Sequence, residues 1–196
     1  MPASCPLVYV FSDQEQENAE EPRLEQAGDL RCHGGVQENW ILRPGRRKDG
    51  PGLVHLIDEV YREYGDEADV EGYDRDLLDV EAAYRDKGGE FVVLEEDGEI
   101  VGAHATQPID PEKGLLTFRR LYLPARVRGS GAGKFLMDWA VQWSRDNGYR
   151  RVEFWSDTRF SRAHRFFERY GFERGGIRHV EEGKLKFSEY FFALSL

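Results

Sequence analysis

The stretch Leu121-Tyr122-Leu123-Pro124-Ala125-Arg126-Val127-Arg128-Gly129-Ser130-Gly131-Ala132-Gly133-Lys134 decides how this chain is read. Its first residues are apolar and strand-like and its end enters a helical pattern, so the glycines occupy a strand–loop–helix junction. Glycine has no Cβ, which lets backbone amides converge on an anion. A helix N-terminus adds unpaired N–H groups and the positive end of a dipole. Arg126, Arg128 and Lys134 bring local positive charge to an otherwise acidic chain. A pyrophosphate fits such a cradle. Two other phosphate-binding loops do not fit the spacing. In the P-loop pattern, counting back from Gly133-Lys134 puts Arg128 at the first glycine and Phe135 at the Mg²⁺-binding hydroxyl. In the dinucleotide pattern Gly129 and Gly131 match, but Lys134 stands at the third glycine. A tight turn with no ligand is the plainer reading, yet three glycines and three basic residues at a helix start exceed what a turn requires.

Outward from this loop the chain alternates strands and helices. Ala132, Phe135, Leu136, Trp139, Ala140 and Trp143 fall on one helical face that stops at Gly148, which makes the two tryptophans core residues. Upstream lie three strand patterns, Phe91 to Leu94, Glu99 to Thr106 and Leu115 to Leu123, the first two joined by a hairpin signal at Asp97-Gly98. Before them come a strand from Asn39 to Pro44 and helical spacings over Leu53 to Tyr64 and Asp74 to Lys87. Downstream, Arg151 to Trp155 reads as a strand and Ser161 to Tyr170 as a helix closed by Gly171. Phe172 to Val180 and Leu185 to Leu194 are strands about the turn Glu181 to Lys184. The predicted order is β α α β β β α β α β β.

Composition bounds the rest. At 196 residues and 22.7 kDa the chain is one domain with an appendage, and its 40% hydrophobic content supplies a core. Ser12 to Gly35 is rich in Asp, Glu, Gln and Gly, so residues 1–37 read as an acidic N-terminal extension ahead of a domain over 38–196, with Pro6 to Phe11 a candidate edge strand. The balance 27 − 37 = −10 repels polyanions, which disfavours general nucleic-acid or anionic-membrane binding. Cys5 and Cys32 provide neither a disulfide framework nor zinc-ligand spacing, and no segment approaches 18 apolar residues. The expectation is a soluble, cytoplasmic protein with no metal.

Arg128-Gly129-Ser130-Gly131-Ala132-Gly133 resembles the R/Q-x-x-G-x-G/A motif of the GNAT N-acetyltransferase superfamily. Ala163-His164-Arg165-Phe166-Phe167-Glu168-Arg169-Tyr170-Gly171-Phe172 is similar to that family's A-x-x-L-Y-x-x-x-G-F helix and strand entry, and the element order is similar over roughly Asn39 to Leu196. The resemblance implies an α+β, three-layer fold: a mixed, mostly antiparallel sheet of about six to seven strands with helices on both faces, splayed between the fourth and fifth strands. It implies acetyl-CoA as the acetyl donor. The pantetheine arm would lie in the splay against the backbone of Leu121, Tyr122 and Leu123. The pyrophosphate would sit on the amides of Arg128, Gly129, Ser130, Gly131, Ala132, Gly133 and Lys134, with Arg126 adding charge and Phe167 lining the cofactor's path.

The implied reaction is direct attack of a neutral amine on the thioester, with the developing oxyanion held by a strand amide such as that of Leu123. Here the chain departs from the family. The tyrosine that often serves as general acid falls at Phe167, the common strand glutamate at Thr117, and the asparagine that often opens the last helix at Phe160. Candidates for moving the amine's proton are Asp157, just past a strand end, and His104, whose intrinsic pKa suits the task. Each has a plainer reading, Asp157 as a turn cap and His104 as a packed strand residue; Tyr122 likewise reads first as packing. The expected activity is N-acetylation of a primary amine on a small molecule or peptide by a monomer or homodimer, the alternative being an acyl-CoA-binding sensor without turnover. The acidic stretch Glu63 to Asp76 lies where similar proteins help form the acceptor site and could attract a cationic amine, though a solvated acidic loop is the plainer reading.

Overall fold

The computed structural model describes residues 39–182 and 185–196; the N-terminal extension, the candidate strand Pro6 to Phe11 and both cysteines lie outside them. Among the described residues there are seven strands: β1 (Trp40–Pro44), β2 (Glu90–Glu96), β3 (Glu99–Asp110), β4 (Leu115–Tyr122), β5 (Arg151–Asp157), β6 (Glu173–Glu182) and β7 (Leu185–Ser195). They form one sheet in the order β1-β2-β3-β4-β5-β7-β6. Every neighbouring pair is antiparallel except β4 and β5, which run parallel. The hairpin between β2 and β3 turns on Asp97 (φ +50°) and Gly98 (φ +85°), the left-handed pair that a two-residue primed turn demands.

Helices cover both faces: α1 (Gly50–Arg62) and α2 (Val80–Ala83) on one, α3 (Ala132–Asp146) and α4 (Ser161–Tyr170) on the other. Because side chains alternate along a strand, β2 sends Phe91 and Val93 to the first face and Val92 and Leu94 to the second. Leu53, Leu56, Ile57 and Val60 of α1 pack on the first; Leu136, Met137, Trp139 and Ala140 of α3 pack on the second. Trp139 is buried and Trp143 is partly buried against the same core.

One expected element differs. The helical spacing from Asp74 to Lys87 is realised as three short pieces: a 3₁₀ turn at Arg75–Leu78, α2, and a second 3₁₀ turn at Arg85–Lys87. Asp79 breaks the run, its backbone extended (φ −152°) and its Oδ1 accepting the Ala82 amide as an N-cap. Leu77, Val80 and Tyr84 are buried all the same, so the apolar phase persists while the helix does not.

The sheet comes apart where the site lies. Strands β4 and β5 pair only at Leu115↔Arg151 and Leu116↔Val152, beyond which no register partners join them. On its other side β4 carries a bulge: Arg119 opposes Ala105 and Tyr122 opposes Ala103, so Arg120 and Leu121 face the single residue His104. Arg120 sits there at φ +59°, a left-handed conformation that a non-glycine residue adopts only when its surroundings compel it.

Candidate active site

A cleft of ≈ 1940 Å³ fills the splay, bordered by β4, β5, the start of α3, α4 and the connection after α1. Of the residues expected on the cofactor side, Leu121, Tyr122, Leu123, Arg128, Gly129, Gly131, Gly133, Lys134 and Phe167 border it. Ala132 and Ser130 do not: Ala132 is fully buried and the Ser130 hydroxyl donates to the Val127 carbonyl at 2.5 Å. Arg126 lies away from it, its guanidinium 3.0 Å from both Glu59 carboxylate oxygens beside a smaller depression.

The glycine loop has the backbone that an anion cradle needs. Gly129 and Gly131 adopt φ +88° and +102°, and Gly131 is the residue immediately before α3. The amides of Gly129, Gly131, Gly133 and Lys134 have no hydrogen-bond acceptor among the described residues. Two basic groups bordering them are held by carboxylates: Arg128 forms a two-pronged pair with Glu63 at 2.5 and 2.7 Å, and Lys134 lies 2.5 Å from Asp138. Arg128 Nε also donates to the Leu123 carbonyl at 2.7 Å, tying the loop to the end of β4.

The opposite wall comes from α1, the segment after it and the bulge. Arg120 is buried and donates Nη1 to Asp74 at 2.6 Å and Nε and Nη2 to Asp76 at 3.0 and 2.5 Å, with Nη2 also 3.0 Å from the Tyr73 carbonyl. Burial works against its charge, but the carboxylates outweigh it and hold the guanidinium protonated well above its ordinary range. The same Asp74 accepts from the Tyr61 hydroxyl at 3.3 Å, and Tyr61 in turn lies 3.1 Å from the Tyr122 hydroxyl. Burial pushes both phenols up, so they stay neutral. No local sequence pattern marks this network. Its one trace is Arg120 in the buried phase of β4, two residues after Phe118 and four after Leu116.

The two side chains expected to move a proton are placed differently. Asp157 borders the cleft, but Arg159 covers its carboxylate at 2.7 to 3.1 Å and reaches on to Asp66 at 2.7 Å. His104 is wholly buried beneath Phe118 and Trp139, with Nδ1 3.2 Å from the Leu136 carbonyl. Burial lowers its pKa to about 4, which leaves a weak proton acceptor at neutral pH. Phe167 closes the α4 side inside a ring cluster with Phe154, Phe172 and Phe192 at centroid distances of 4.9 to 6.0 Å. Tyr170, the other phenol of that helix, donates to Asp138 at 2.8 Å.

Comparison with known proteins agrees with this architecture. The chain is 28% identical over 137 residues to the uncharacterized N-acetyltransferase YjgM of Escherichia coli, covering 68% of this chain and 81% of that one. It is 32% identical over 106 residues to rat N-acetyltransferase 8F1, covering 53% of this chain but only 48%, about half, of the rat protein. The GNAT superfamily phosphinothricin acetyltransferase of Sinorhizobium meliloti, solved in complex with acetyl-CoA, superposes with a TM-score of 0.65 at 17% identity over 81% of this chain and 89% of its own. Residues 54–172 match the Acetyltransferase (GNAT) family, from within α1 to the residue after α4's glycine cap; the chain is an acyltransferase belonging to that family.

Proposed function

We propose that the protein transfers the acetyl group of acetyl-CoA to a primary amine by direct attack, without an acyl-enzyme. The observation that carries this reading is the conjunction of two features at one end of the sheet. The β5-facing edge of β4 loses its partner after Leu116, and four amides without protein acceptors gather at the start of α3. An extended arm needs an open strand edge, and a diphosphate needs converging donors. The positive φ of Gly129 and Gly131 fits the same group, since a side chain there is strained and stands in the anion's approach.

In this reading Leu121 to Leu123 hold the arm by their backbone, and Gly129 to Lys134 take the pyrophosphate. The loop residues Ser130 and Ala132 contribute by shaping the turn, their side chains turned inward and their amides donating within the loop to the Val127 carbonyl and the Ser130 hydroxyl. Arg128 and Lys134 exchange part of their carboxylate pairing for phosphate, a trade that is close to even in energy because both pairs are open to water on one side. The Leu123 amide steadies charge on the acetyl oxygen. The acceptor enters from the opposite wall, between Tyr61 and Tyr122 on one side and Asp157 with Trp155 on the other.

The test is release of free thiol from acetyl-CoA by catalytic amounts of protein, with spermidine, kanamycin and an alanine-led tripeptide as amines. Amine-dependent release over many turnovers supports the reading; binding of acetyl-CoA with no release for any of the three opposes it.

A further inference from the structure

The wall of the cleft formed by β5 and α4 holds a histidine–serine pair. His164, one helical turn before Phe167 on the buried face of α4, is 3% exposed, and its Nε2 lies 3.2 Å from the Ser156 hydroxyl. Ser156, on β5, borders the cleft. The imidazole is fixed by rings, with Tyr190 edge-on at 5.4 Å and Phe192 at 5.3 Å. A buried histidine next to a cleft hydroxyl is the arrangement by which a serine passes protons it does not itself ionise to give.

We infer that Ser156 is a catalytic hydroxyl of the acetyl transfer and that His164 is the positioning residue behind it, the pair carrying the amine's proton to the departing sulfur. The inference rests on the N-acetyltransferase reading above. With the Nδ1–H tautomer, Nε2 accepts from Ser156. As nitrogen bonds to the acetyl carbon, its proton passes to Ser156 Oγ while the serine's own proton passes to Nε2. As the carbon–sulfur bond breaks, the sulfur takes a proton from Ser156, which recovers one from His164. One proton leaves nitrogen, one arrives on sulfur, and both residues end as they began.

The groups competing for this place are spent. Phe167 has no proton to give, Tyr170 is held by Asp138, His104 is buried at low basicity, and Asp157 is covered by Arg159. Burial, and then Arg174 on β6, lower the basicity of His164 below the ordinary histidine value, while the Asp157 backbone, Glu168 and the Asp157 charge oppose them. Tyr190 of β7 faces the same ring and carries Arg174 over its own face at 5.0 Å.

The experiment measures thiol release against pH for the full chain, using whichever of spermidine, kanamycin or the tripeptide is turned over. Ser156→Ala is expected to lower kcat about 100-fold or more, in keeping with lost acid–base catalysis, with the KM for acetyl-CoA within about twofold. Ser156→Thr, which keeps the hydroxyl, should recover most of the rate. His164→Gln should lower kcat and remove an acid limb from the kcat/KM profile whose midpoint lies below 6.5, a change that a packing role does not produce. A Ser156→Ala enzyme within threefold of the parent, or an acid limb that survives His164→Gln, overturns the inference while leaving the transferase reading intact. If the parent binds CoA but turns over none of the amines, the transferase reading fails and the inference with it. Should His164→Gln prove unstable to heat, ¹⁵N-imidazole spectra of the parent replace it. Saturating CoA should move the His164 signals, Ser156→Ala should abolish that movement, and no movement contradicts the inference.

Discussion

The two walls of the cleft reach order by opposite means. On the α3 side a loop of glycines holds itself open: Gly129 and Gly131 take left-handed backbone, and their amides have no acceptor among the described residues. On the α1 side nothing waits. Arg120 is buried at a left-handed bulge, clamped by Asp74 and Asp76, while the Tyr61 hydroxyl donates to Asp74 and meets the Tyr122 hydroxyl. Among the described residues the first wall leaves backbone donors without partners, while the second pairs its charged and phenolic groups with one another. Buried ion pairs gain little over apolar packing but cost a great deal to break. The second wall therefore acts as the reference against which the first is positioned, and Arg128, bridging the Leu123 carbonyl to Glu63, is the joint between them.

Breaking the rigid wall should produce the largest effect. Asp74→Ala removes a carboxylate that is 1% exposed and leaves Arg120 half-paired, a loss of about 3 kcal/mol. A chain of this size should then melt roughly 6–12 °C lower. Calorimetric melting checks it, and an unchanged melting temperature means that the network is not structural.

His104, on β3 of the sheet, gives a pH counterpart. Its folded pKa of about 4 lies below the ordinary 6.5, so the unfolded chain binds more protons between those values. The sign follows: the stability tied to keeping His104 neutral is complete above pH 6.5 and is lost as pH falls towards 4, up to about 3 kcal/mol. Denaturant titrations at pH 7.5 and 5.0 should show a smaller acid loss in His104→Gln than in the parent protein.

On the open wall the effect should appear in binding and not in folding. Gly131→Val places a branched side chain at φ +102° and blocks the converging amides. Acetyl-CoA affinity should fall about 100-fold, roughly 2.7 kcal/mol. Arg126→Ala sharpens the contrast from the other end. Its guanidinium lies outside the cleft on Glu59, so the dissociation constant should move by less than about twofold. A large loss there would place Arg126 on the bound phosphates.

This contrast also explains what the sequence could show. The glycine loop is local: strand, turn and helix start within fourteen consecutive residues, and conformational rules read it directly. The hairpin at Asp97-Gly98 and the closure of α4 by Gly171 are legible for the same reason. The rigid wall joins Arg120 to Asp74 across 46 positions and Tyr122 to Tyr61 across 61, and no local pattern encodes such a meeting. The broken helix after Asp74 follows from it. Asp74 and Asp76 turn inward to the arginine and Asp79 caps the next turn, so tertiary and capping demands override a sound helical period. Ser156 and His164 are only eight residues apart, but their contact depends on α4 folding back over β5.

The most direct measurement is a calorimetric titration of the protein with acetyl-CoA, run beside CoA and ATP. Saturable binding of acetyl-CoA and CoA with no ATP response is the predicted result, because in the proposed reading the open β4 edge and the Gly129 to Lys134 amides together select an arm joined to a diphosphate. No binding of either acetyl-CoA or CoA, or ATP binding as well as both, would contradict this prediction.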